Sequence, residues 1–115
     1  MTVDAVFTGL AVADFPAARL FYEQLFGRAP DMLPTDGEAA WQVCGPAWVY
    51  VVEDAERAGR GLLTILVDDL DAQVAALAER GVTAGPVQRT PGVVARTRVT
   101  DPEGNAITFG QPLSR

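Results

Sequence analysis

Histidine and lysine are both absent from this chain of 115 residues. The first absence removes Ser-His-Asp and Cys-His nucleophile systems, histidine acid–base catalysis and every metal site built on imidazole. The second removes Schiff-base chemistry and a phosphate-binding loop of the lysine type. Cys44 is the only cysteine, which leaves no internal disulfide, no CxxC motif and no thiolate zinc site. Long apolar runs are missing too: none approaches the ~18 residues of a membrane span, and the first fifteen residues contain no basic side chain. Neither a signal peptide nor an anchor is expected, and the cytoplasm is the expected compartment. Positive charge is scarce, 9 arginines against 15 acidic residues for a net charge of −6. That balance disfavours nucleic acid and anionic membrane as partners, because both are held by basic surface. A small molecule or another protein is left.

What is present reads as one ordinary globular domain, long enough to bury a single core. Val3 to Val12 alternates as a strand, with Val6, Leu10 and Val12 on one face and Phe7, Gly9 and Ala11 on the other. Asp14 is placed to cap a helix that carries Pro16 in its first turn. Leu20, Phe21, Leu25 and Phe26 recur at helical spacing, and Gly27 is a natural C-terminal stop. Turn signals at Asp36-Gly37 and Gly45-Pro46 divide the next stretch into three short strands, Ala29–Pro34, Ala39–Cys44 and Ala47–Glu53.

After the polar loop Asp54–Arg60 the pattern repeats. Gly61–Val67 reads as a strand and Asp69 as a cap. Leu70, Val74, Leu77 and Ala78 form the apolar stripe of a second helix that stops at Gly81. Strands are then expected over Val82–Gln88, Val93–Thr100 and Asn105–Gln111. Val12-Ala13-Asp14-Phe15 matches Val67-Asp68-Asp69-Leu70 at an offset of 55 residues, the mark of an internal duplication. The expected organisation is one domain over 1–115, built from two βαβββ modules spanning about 1–54 and 60–115.

The ordered set of segments resembles the vicinal-oxygen-chelate superfamily, the fold of glyoxalases, bleomycin-resistance proteins and ring-cleaving dioxygenases. The matching pieces are Val12-Ala-Asp-Phe-Pro-Ala-Ala-Arg-Leu-Phe-Tyr-Glu-Gln-Leu-Phe-Gly27, Val67-Asp-Asp-Leu-Asp71, Glu79-Arg-Gly81 and Asp101-Pro-Glu-Gly-Asn-Ala-Ile107. The resemblance implies an α+β fold: two βαβββ modules in tandem forming an open, cupped, eight-stranded mixed sheet or barrel, with two helices on the convex face. It implies a homodimer, with pockets built partly by both chains. In metal-dependent members four cavity positions hold the ligands, and the motif spacing carries these onto Phe7, Leu62, Thr108 and a residue within Trp48–Val52. Divalent metals require carboxylate, imidazole, thiolate or amide ligands, and none stands at these positions. Glu53, just beyond them, is the one nearby candidate. No metal and no cofactor is therefore expected.

Phe7, Trp41, Trp48, Tyr50 and Leu62 would give an aromatic, apolar cavity suited to a flat ligand; the alternative is that they fill the core. Strand parity leaves open whether Trp48 and Tyr50, or Val49 and Val51, point inward. Arg96 and Arg98, two apart on one strand, would meet a carboxylate, phosphate or polarised carbonyl, or else pair with acidic neighbours. Thr64 and Thr108 complete the expected ligand-binding set. Asp68, Asp69 and Asp71 look like a carboxylate cluster but sit where a helix N-terminus favours acids, and Asp101 and Glu103 belong to a turn. Cys44 has no neighbour in sequence that would activate it.

The expected function is metal-free binding of a small organic molecule, aromatic and with or without an anionic group, of the kind that sequesters a toxic natural product in antibiotic resistance. No catalytic residue is assigned. The alternatives are a metal-independent lyase, isomerase or cyclase using the same cavity, an interaction module binding protein on an apolar face, and a metal-dependent enzyme. The absence of lysine, with abundant alanine and arginine, fits a GC-rich bacterial genome.

Overall fold

Two aspartates start the helices, and they do so in the same way. In the computed structural model, which describes residues 1–113, the Asp14 carboxylate accepts from Ala17 N at 3.1 Å and that of Asp69 from Ala72 N at 3.0 Å. Each satisfies a backbone donor that the first helical turn leaves unpaired. Helix α1 runs Phe15–Phe26 and ends on Gly27 at φ 73, a left-handed conformation that glycine adopts without steric cost. Helix α2 runs Leu70–Glu79.

Among the described residues seven strands form two sheets beside the helices. The first has the order β1 (Val6–Val12), β3 (Ala47–Glu53), β2 (Glu38–Cys44). The second has the order β4 (Leu62–Leu66), β7 (Ala106–Pro112), β6 (Val94–Thr100), β5 (Gln88–Thr90). In each, the strand before the helix pairs parallel with the last strand of its half, and the remaining pairs are antiparallel. The βαβββ pattern is thus repeated, and neither sheet closes.

Eight strands were expected and seven form. Ala29–Pro34 is reduced to a single bridge, Met32 to Ala40. The expected strand Val82–Gln88 shifts to three residues, Gln88–Thr90. Both segments carry prolines (Pro30 and Pro34; Pro86), which cannot donate to a ladder and are confined to edges. The second is tied down by Gly85 N donating to Arg98 O and by Thr97 Oγ1 donating to Gly85 O at 2.6 Å.

One apolar cluster joins both halves. Leu10, Val12, Val49 and Val51 of the first sheet and Tyr22 and Leu25 of α1 share it with Ala95, Val99, Ile107 and Phe109 of the second sheet and Leu70 and Leu77 of α2. Polar links also cross between halves. Tyr22 Oη donates to Asp101 Oδ2 at 2.8 Å, and the Glu103 carboxylate accepts from Ala13 N and Asp14 N at 2.6 and 2.8 Å. Asn105 donates to Ala11 O and accepts from Gly61 N. Arg80 donates to the carbonyls of Gln24 and Leu25 at the end of α1. No helix among the described residues is long and apolar enough to cross a membrane.

Candidate functional site

Strand alternation gives each sheet one face toward its helix and one open face. In the first sheet Val49 and Val51 are buried toward α1, so Trp48 and Tyr50 take the open face, and the parity left undecided by sequence is settled. Pairing places Phe7 opposite Trp48 and Gly9 opposite Tyr50. The Phe7 and Trp48 rings stack with centroids 5.3 Å apart and an interplanar angle of 17°, and Tyr50 meets Phe7 edge-on at 6.4 Å. Gly9 is what lets Tyr50 lie flat across β1: a Cβ there would stand 2.5 Å from Tyr50 Cζ. The result is a continuous aromatic platform, with Phe7 47% exposed.

Trp41 is not part of it. It sits on the opposite face of β2, fully buried, 5.2 Å from the Phe26 ring and 6.3 Å from that of Tyr22, with its indole N–H donating to Arg28 O at 3.0 Å. The expectation that Trp41 lines a cavity is corrected: alternation along β2 gives its side chain to the helix, where an aromatic cluster and a backbone acceptor satisfy both ends of the indole.

The open face of the second sheet is different in chemistry. A hollow of about 570 Å³ lies over it, lined among others by Thr64, Leu66, Gln88, Arg96, Arg98 and Thr108. Arg98 pairs with Thr108 and Thr108 with Thr64, forming one row; Gln88, Arg96 and Gly110 form the next. Gln88 and Gly110 were missed by sequence reasoning because each joins the hollow only through its pairing with Arg96 across strands, and Gly110 carries no side chain to signal a role. Leu62 is on this sheet's face and 78% exposed. The expected site residues therefore divide into an aromatic group on one sheet and an arginine–threonine group on the other. Phe7, Trp48 and Tyr50 do not line the hollow.

The remaining candidates have structural positions. Asp101 is buried, accepting from Tyr22, from the backbone of Glu103 and Asn105, and from the Asn105 amide. Burial, with the Asp101 charge and hydrogen bond, pushes the Tyr22 phenol well above the usual tyrosine range. Cys44 is exposed at the end of β2.

A family model described as a glyoxalase-like domain matches residues 5–109. The chain belongs to this family. Among solved structures, a glyoxalase/bleomycin resistance protein from Catenulispora acidiphila DSM 44928 is 38% identical with a TM-score of 0.90, covering 95% of this chain and 98% of that one. A glyoxalase/bleomycin resistance protein from Streptomyces sp. CB03234 is 26% identical at 0.70, covering 93% and 99%. TnmS3, an antibiotic binding protein from the same strain, is 24% identical at 0.76, covering 96% and 97%, a likeness of fold. No curated protein matches.

The residues at the four metal positions that the resemblance implies do not fit a divalent metal in this glyoxalase-like chain. Two of the four positions are Phe7 and Leu62, which carry no donor atom, and Thr108 offers a hydroxyl alone. Glu53 pairs with Val12 and has the parity of Val49 and Val51, so its strand position belongs to the face opposite Trp48. Glu38, opposite Val52, is a carboxylate on the open face, overlooked in the sequence because the expected strand began one residue later, at Ala39. Among the described residues no three of the Cys, Asp and Glu side chains gather into a group that could hold a metal ion.

Proposed function

We propose that this glyoxalase-like domain binds a small aromatic organic molecule without a metal, and that it does so as a homodimer. The observation that carries the reading is the aromatic platform of Phe7, Trp48 and Tyr50, half-exposed on an open sheet face. Aromatic rings held in place and left partly open to solvent offer a stacking surface at little entropic cost. Core packing does not account for them, because the core is on the other side of the sheet. Sequestration of a toxic natural product is the role this suits. The fold is shared with an antibiotic-binding protein, which supports the fold's capacity for such a ligand.

A second copy is favoured by what each open face leaves uncovered: Phe7 on one, Leu62 and Leu66 on the other, all large, apolar and exposed. Binding is favoured over metal-independent catalysis because none of the residues lining the hollow is acidic and Glu38, a carboxylate on the platform face, stands at the end of its strand.

Native mass spectrometry of gently purified protein tests these parts together. A two-copy species without metal, carrying an organic adduct or accepting flat aromatic ligands that quench Trp48 fluorescence, is expected. A single-copy species, stoichiometric Zn, Ni, Mn or Fe, or a dimer that no flat aromatic ligand quenches would overturn the reading.

A further inference from the structure

The arginines of this chain are mostly engaged. Arg19, Arg28, Arg57 and Arg89 each pair with a carboxylate, and Arg80 is held by the carbonyls ending α1. Arg60, Arg96 and Arg98 are different: among the described residues none of the three makes an ion pair, although the chain carries 15 acidic residues. Arg60 lies in the loop before β4, and only Arg96 and Arg98 share a strand. They stand two apart on β6, roughly 7 Å along the strand, and both border the same hollow.

We infer that this hollow is an anion subsite: Arg96 and Arg98 bracket the acidic head group of the ligand, and the ligand is an organic anion with a carboxylate, sulfonate or phosphate. The inference rests on the ligand-binding reading above and names the chemical class that reading leaves open. Two neighbouring guanidiniums on one strand face repel each other, and that arrangement is relieved by an anion placed between them. The neutral neighbours suit the same guest. Thr108 is directly opposite Arg98, Thr64 lies beyond it in the same row, and Gln88 is opposite Arg96. All three can donate to an oxyanion. Gly110, opposite Arg96, contributes no side chain, and the Leu66 and Val94 side chains close over it. No acidic side chain lines the hollow to compete for the guanidiniums, which makes it a local positive region on a chain of net charge −6.

The test compares two fluorescent dyes of similar aromatic body: anilinonaphthalene sulfonate, which is anionic, and N-phenylnaphthylamine, which is neutral. The anionic dye is expected to bind tighter and to lose affinity as salt rises, because screening acts over about 8 Å at physiological ionic strength. Arg96→Met and Arg98→Met should each weaken it about tenfold or more while leaving the neutral dye unchanged. Arg57→Met, which removes the same charge from an exposed loop, should change neither. Benzoate and phenyl phosphate should displace the anionic dye, and benzyl alcohol should not. Equal affinity for the two dyes, or anionic-dye binding indifferent to both cavity variants, would overturn the anion subsite and leave aromatic binding standing. Failure of both dyes to bind would overturn the binding reading itself and the subsite with it.

Discussion

Replacing Tyr22 by phenylalanine isolates the hydrogen bond that ties α1 to the turn between β6 and β7. Tyr22 is fully buried, and its hydroxyl donates to Asp101 Oδ2 at 2.8 Å. Without it the carboxylate still accepts from Glu103 N, Asn105 N and Asn105 Nδ2, so the charge is not orphaned. What is lost is one hydrogen bond to a charged group, worth about 1.5–3 kcal/mol. A loss of about 2 kcal/mol is expected, and with a urea m-value of about 1–3 kcal/mol/M for a small domain the midpoint should fall by roughly 1 M at unchanged slope.

The same contact sets an alkaline limit. Burial first, then the charge and hydrogen bond of Asp101, raise the Tyr22 pKa in the folded state. The folded chain therefore holds this proton more tightly than the unfolded chain. The stabilisation is complete below the unfolded value of about 10 and is lost as pH climbs above it, at about 1.4 kcal/mol per pH unit. Tyr22→Phe should lack that dependence. In a Tyr50→Phe background, tyrosinate absorbance reports Tyr22 alone and should rise only together with loss of the circular dichroism of the fold. A cost below ~0.5 kcal/mol for Tyr22→Phe, or tyrosinate forming in the folded protein near pH ~10, would refute the reasoning.

Gly9→Ala places a methyl 2.5 Å from Tyr50 Cζ. The ring end can swing away, so stability should change by less than about 1 kcal/mol, while near-ultraviolet dichroism shifts and flat aromatic dyes bind several-fold more weakly; unaltered dye binding would remove Tyr50 from the platform. Trp41→Ala should cost about 3–5 kcal/mol in urea unfolding, because its side chain is wholly inside. A cost typical of a surface position would return Trp41 to the cavity.

The architecture was largely legible in the sequence. Asp14 and Asp69 precede apolar stripes of helical period, and both act as the expected caps. The strand over Ala47–Glu53 forms with the bounds its pattern implies. The two meander strands that shrank are those with proline in them, where apolar composition outweighed the missing ladder donor in the reading. The links that Asp101, Glu103 and Asn105 make between halves were hidden, because residues 79 to 94 apart in sequence carry no local signal of contact.

The sequence by itself determined the internal duplication and the helix caps, since each depends on residue identity and short spacing. Tertiary structure alone decided which face of each strand meets a helix. An alternating strand with apolar residues on both faces fits either way, and only the docking of α1 sent Trp41 and Val49 inside and left Trp48 and Tyr50 out. It also decided that the aromatic group and the arginine pair occupy different sheets, because strand order is set by pairing between segments far apart in the chain.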